Sequence, residues 1–93
     1  MSINEILTLQ SAIDKIDDQL IQLLKRRFEH SRRIGVIKKE TVQPPIDATR
    51  VHGQRDRFLR QCVASGLDPE MSRQLLLVIT NQVIAERFAA AIQ

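Results

Sequence analysis

The sequence predicts an all-α protein, and three observations carry that expectation. Apolar residues recur at Ile6, Leu9, Ile13, Ile16, Leu20 and Leu23 in alternating steps of three and four, the spacing of a heptad-like helical seam. Glycine and proline number only three each, too few for the many turns of a sandwich or barrel. The three prolines and Gly66 sit together with helix-ending and helix-starting residues, at Pro44-Pro45 and at Gly66-Leu67-Asp68-Pro69.

The first helix is expected from about Asn4 to about Lys39. Its seam continues through Arg27 to Ile34 and Ile37, and only Gly35 weakens it, by about 1 kcal/mol. Thr41-Val42-Gln43-Pro44-Pro45 then breaks the helix, because proline lacks a backbone N–H and forces its predecessor out of the α region. Asp47 is suited to cap a second helix over about 48–64, with Phe58, Leu59 and Cys62 or Val63 facing inward. Ser65-Gly66 ends it, glycine taking a left-handed position. Asp68-Pro69-Glu70 opens a third helix over about 69–91, with Leu76, Ile79, Val83, Arg87 and Ala90 on one stripe.

A chain of 93 residues makes one domain, 1–93, near the size at which a single core becomes marginal. Some 35 helical residues extend roughly 50 Å. A compact monomer of this size has a radius of gyration of roughly 12 Å and cannot cover such a rod. A second copy of the chain is the simplest cover, so an intertwined homodimer is expected.

Composition also narrows the function. Of the 14 lysines and arginines, 12 fall between Lys15 and Arg60, which points to an anionic partner. The basic stretch has almost no aromatic residues for base stacking and no nucleic-acid-binding motif, and for most of these charges the ordinary reading is a solvated helix face. His30 and His52 lack metal-ligand spacing, and the lone Cys62 fits a core position. No apolar run is long enough to span a bilayer, and no signal-like segment opens the chain; a cytoplasmic protein without membrane partners is expected.

Three cations occupy positions where apolar residues belong. Arg27 lies in the seam, and Lys38 lies eleven residues on, where steps of about 100° return to within about 20° of the same face. Arg87 lies on the inward stripe of the third helix. Each has an ordinary reading: Arg27 paired with an acid of a partner helix, Lys38 solvated at a frayed end, Arg87 snorkelling. As a cluster without matching inward acids, they suggest an anion pocket. Asp47 and Arg50 are neighbours on the first turn of the second helix, either as a simple cap and pair or as part of that pocket's mouth.

These segments resemble the all-helical class of chorismate mutases. Ile13-Asp14-Lys15-Ile16-Asp17, Leu23-Leu24-Lys25-Arg26-Arg27-Phe28 and Ile34-Gly35-Val36-Ile37-Lys38 are similar to that family's long first helix. Pro45-Ile46-Asp47-Ala48-Thr49-Arg50-Val51 is similar to its loop and second-helix start, and Gly66-Leu67-Asp68-Pro69 to its last connection. The resemblance implies an entwined dimer whose sites are shared between chains, and the rearrangement of chorismate, a dianion, to prephenate without metal or cofactor. It implies that Arg27 holds the enolpyruvyl carboxylate and that Lys38 binds that carboxylate or the ether oxygen. Asp47 and Arg50 would lie near the ring hydroxyl, and Val83 beside the ring.

Three positions depart from the family pattern. Its cross-subunit arginine falls at Gln10, its third-helix glutamine at Arg87, and the glutamate after the second-helix arginine at Val51. Gln10 and Arg87 read as a compensating exchange that keeps the pocket's positive charge. The departures also admit an isochorismate pyruvate-lyase of the same fold or a ligand-sensing dimer without turnover. A basic helical nucleic-acid binder would be betrayed by steep salt dependence.

Overall fold

The computed structural model describes residues 2–93 and consists, among these, of three helices. They are α1 (Ile3–Glu40), α2 (Ala48–Ala64) and α3 (Pro69–Ala91). The all-α expectation holds, and propensity and caps agree at the starts of α2 and α3 and at the end of α2. The chain divides into two units, Met1–His30 and Ser31–Gln93.

The first unit belongs to α1. Ser2 caps it, its Oγ accepting from the N–H of Glu5 at 3.1 Å, so a Ser-x-x-Glu start satisfies an otherwise orphaned donor. The seam residues Ile6, Leu9, Ile13, Ile16, Leu20 and Leu23 are each 45–59% exposed. Only Leu24, Arg27 and Phe28 are half-buried. A helix with this much bare apolar surface gains little from burial on its own.

The second unit holds the core. Asp47 caps α2 by accepting from the Arg50 N–H, and Asp68 caps α3 by accepting from the Met71 N–H at 2.8 Å, with Pro69 in the first turn. Cys62 of α2 and Leu76 and Ile79 of α3 form the apolar centre, each about 95% buried. Val63, the other inward candidate of α2, is exposed. Ser72, the most enclosed residue, bonds back to the Asp68 carbonyl at 2.7 Å. α2 ends on Gly66 at φ 82, with the N–H groups of Gly66 and Leu67 returning to the carbonyls of Val63 and Cys62.

The last turns of α1 pack differently from the seam's extrapolation. Ile34 and Ile37 are exposed, at 45% and 40%, and the buried positions are Ser31 and Gly35. Small residues are chosen on that face because an arginine of α3 lies across it.

Candidate functional site

α1 ends as α2 does, with Gln43 N–H bonded to the Lys38 carbonyl at 2.8 Å and Val42 N–H to the Lys39 carbonyl at 3.2 Å. Here, however, the left-handed residue is Val42, at φ 54. A β-branched side chain in that region is strained by about 1–2 kcal/mol. The turn sends Val42–Pro45 back over the end of α1 and encloses a cavity of about 320 Å³. Gly35, Lys38, Lys39, Arg87 and Ala91 complete its lining, which contains no acidic side chain.

Arg87 reaches this cavity along a fixed route. Its Nε donates to the Ser31 carbonyl at 3.1 Å, its Nη2 to Ser31 Oγ at 3.1 Å, and its Nη1 to the Pro45 carbonyl at 3.2 Å. All three acceptors are neutral, so the guanidinium is held without being neutralised. Burial pushes its pKa down from the ordinary arginine value, yet an arginine remains charged near neutrality. The snorkelling reading of Arg87 is replaced by a bonded, half-buried one. An arginine of α1, Arg32, is treated in the opposite way: its Nη2 meets Glu86 Oε1 at 2.9 Å. Gln82 donates to the same oxygen, and the Arg32 bond holds the Glu86 carboxyl below its usual pKa.

Two of the sequence-derived candidates, Lys38 and Arg87, thus line one cavity. Asp47 and Arg50 are exposed neighbours at the start of α2, and their bond is a cap, 3.2 Å from the Arg50 N–H to Asp47 Oδ1. Val51 lines a different cavity of about 510 Å³ between α2 and α3, with Leu59, Leu76, Leu77 and Thr80 on its floor and Arg55 and Arg73 among its polar groups. Val83 is half-buried on α3. Gln10 and Arg27 belong to the first unit, Gln10 exposed and Arg27 half-buried.

Sequence reasoning passed over Ser31, Gly35 and Lys39 as site residues, and it placed the Pro44-Pro45 loop at the pocket's mouth without the Arg87 contact. Ser31 and Gly35 carried a readable signal, two small residues four apart on one helical face, which marks a close approach. The Pro45 carbonyl carried none, since a backbone acceptor has no signature in residue type. Among the described residues no group of His, Cys, Asp and Glu is placed to hold a metal, and no helix is long and apolar enough to cross a membrane.

Chemically, the cavity offers fixed positive charge, donors and an apolar wall, with no nucleophile–base pair. It suits an anion whose reaction needs electrostatic help rather than proton or electron transfer. A family model described as chorismate mutase type II matches residues 9–89, a span that includes every candidate from Gln10 to Arg87. No curated protein matches the chain closely enough to count as a relative.

Proposed function

Since the chain belongs to the chorismate mutase type II family, we propose that it converts chorismate to prephenate, the precursor step to phenylalanine and tyrosine, at the Lys38–Arg87 cavity. One observation carries the assignment of the site: an acid-free cavity in which Arg87 is pinned by neutral acceptors and keeps its charge beside Lys38.

The reaction breaks the ether C–O bond and forms a C–C bond within one molecule, so electrons and protons balance without a co-reactant. Negative charge grows on the ether oxygen as that bond lengthens. Cations fixed before the reaction stabilise this state more than the substrate, and one such donor is typically worth about 3–4 kcal/mol. Holding the enolpyruvyl arm folded against the ring supplies a further share of the acceleration. Lys38 is the donor to the ether oxygen or adjoining carboxylate, Arg87 the second cation, and Arg27 the holder of the enolpyruvyl carboxylate. Asp47, Arg50 and Val83 serve the ring end of the substrate.

The working form is a homodimer. The bare seam of residues 6–23 and the apolar groove between α2 and α3 are surfaces that a second copy would cover. In that arrangement Gln10 enters the site from the partner chain, and Arg87 replaces the positive charge that glutamine lacks.

The test is direct. Purified protein is mixed with chorismate, the loss of its absorbance is followed, and the product is identified by chromatography. Prephenate is expected. Val51, standing where an acid near the ring hydroxyl is usual in the family, makes isochorismate the second substrate to assay. Pyruvate released from isochorismate, with chorismate untouched, would replace the mutase reading by the lyase one. Binding without turnover of either would leave a sensing dimer.

A further inference from the structure

We propose that Ser31 and Gly35 are positioning residues for the Arg87 cation, and that through Arg87 they hold the Pro44–Pro45 loop against the Lys38 cavity. The inference rests on the reading of that cavity as the substrate site.

The geometry of the crossing is tight. A Cβ built on Gly35 would lie 3.2 Å from Arg87 Cδ and 3.8 Å from Nε, so even alanine requires the arginine stem to give by a few tenths of an ångström. The same missing Cβ opens the turn beneath it. The Ser31 carbonyl is the one that a helix offers to residue 35, and a side chain from another helix approaches its second lone pair more easily where the next turn carries no Cβ. Arg87 Nε uses it, and Nη2 takes the Ser31 hydroxyl of the same residue. Two bonds to one residue fix the plane of the guanidinium, as a fork fixes orientation better than a point charge. With the plane fixed, Nη1 meets the Pro45 carbonyl.

That last bond matters for the loop. The loop leaves α1 through a strained residue, Val42 at φ 54, and a strained turn persists only where its surroundings over-determine it. The Pro45 tether is such a constraint. Charge and loop are therefore set by one side chain, and that side chain is set by Ser31 and Gly35.

The experiment compares wild type with Gly35→Ala, Ser31→Ala, Arg87→Gln and the Gly35→Ala/Arg87→Gln pair. The first readout needs no substrate: hydrogen–deuterium exchange of the Val42 and Gln43 amides. Loss of a bond of ordinary strength raises their exchange by about fivefold in Gly35→Ala and in Arg87→Gln. Exchange at Leu76 and Ile79 stays slow, rising only as far as global stability falls, which certifies the fold of each variant. The second readout is the kcat and KM for chorismate. Gly35→Ala lowers kcat about tenfold with little change in KM, since it disturbs a group needed most in the transition state. In the Arg87→Gln background the same change adds less than about twofold, as coupled residues do not act independently. Ser31→Ala, which removes one hydroxyl and adds no bulk, shows a smaller fall in the same direction.

Alanine is the better helix former, so a glycine kept only for helix packing would give unchanged exchange at 42–43 and additive kinetics, and either result overturns the proposal. A wild type that leaves chorismate untouched overturns the functional reading alone, because the exchange data still decide whether the clasp exists.

Discussion

Arg87 and Ser31 meet at two points, Nε on the carbonyl and Nη2 on the hydroxyl, both at 3.1 Å. A residue on the third helix is thereby locked to the first by backbone and side chain at once. Arg87→Gln cannot make this fork. It leaves the buried Ser31 hydroxyl and the Pro45 carbonyl short of a donor, at about 1–3 kcal/mol for the unsatisfied groups. Urea unfolding should show that loss with an unchanged slope, and turnover should fall as well. Full turnover in Arg87→Gln would end the idea that Arg87 makes up for Gln10.

Lys38 is half-buried on the same cavity and has no part in the clasp. Lys38→Met keeps the stem and removes the charge. The expected fall in kcat is about 10²–10³-fold, the scale for a lost transition-state donor, while the melting temperature barely moves. A rate within a few-fold of wild type would remove Lys38 from the reaction.

How much of this was legible beforehand depends on what each feature needs. Helix positions were, because Asp47, Gly66, Asp68 and Pro69 are local signals that the rest of the fold does not contradict. The pairing of Lys38 with Arg87 on one cavity was legible as cations in apolar register. The Ser31 and Pro45 contacts were not, since they depend on how α3 crosses α1 and on a backbone carbonyl. Nor was the turn at the end of α1. Val42 is among the last residues that propensity would place at positive φ, and tertiary constraint puts it there.

Val42 and Gly66 fill equivalent positions after α1 and α2, and only one of them is glycine. Val42→Gly relieves about 1–2 kcal/mol of left-handed strain. It returns about 0.4–1 kcal/mol as extra freedom of the unfolded chain. A net gain of about 0.5–1 kcal/mol is expected, visible as a rise in melting temperature. Gly66→Val should lose stability by a similar or larger amount. A Val42→Gly variant that melts lower than wild type would show that the valine side chain contributes more than its backbone costs.

Glu86 gives the protein a defined acid sensitivity. Its carboxyl is held below its ordinary pKa chiefly by the bond from Arg32, with a smaller contribution from Gln82 and against the opposing effect of burial. A lowered folded-state pKa means that the unfolded chain binds protons first as pH falls. The stabilisation is complete above the ordinary glutamate value of about 4.3. It drains away as pH drops from there through the folded value. Glu86→Gln removes this slope: wild type and variant should converge in stability at low pH and separate toward neutrality. Parallel pH profiles would show that the Arg32 pair contributes nothing.

The bare seam sets the strongest test of assembly. Ile6, Leu9, Ile13, Ile16, Leu20 and Leu23 are about half exposed, so covering each adds roughly 1 kcal/mol. Counted on two chains, that is on the order of 12 kcal/mol, comparable with the 4–15 kcal/mol or so that association costs. The seam alone brings two chains close to balance, and the α2–α3 groove must supply the surplus. Sedimentation is therefore expected to give twice the 10.7 kDa chain mass, dissociating at low concentration. Ile13→Asp with Leu20→Asp puts carboxylates at the centre of the seam and should yield a monomer. That monomer loses helical ellipticity from residues 2–30, and it loses turnover because Gln10 of the second chain is gone. A wild type that sediments at 10.7 kDa while converting chorismate at full rate would confine the active site to one chain and leave the exposed seam without an explanation.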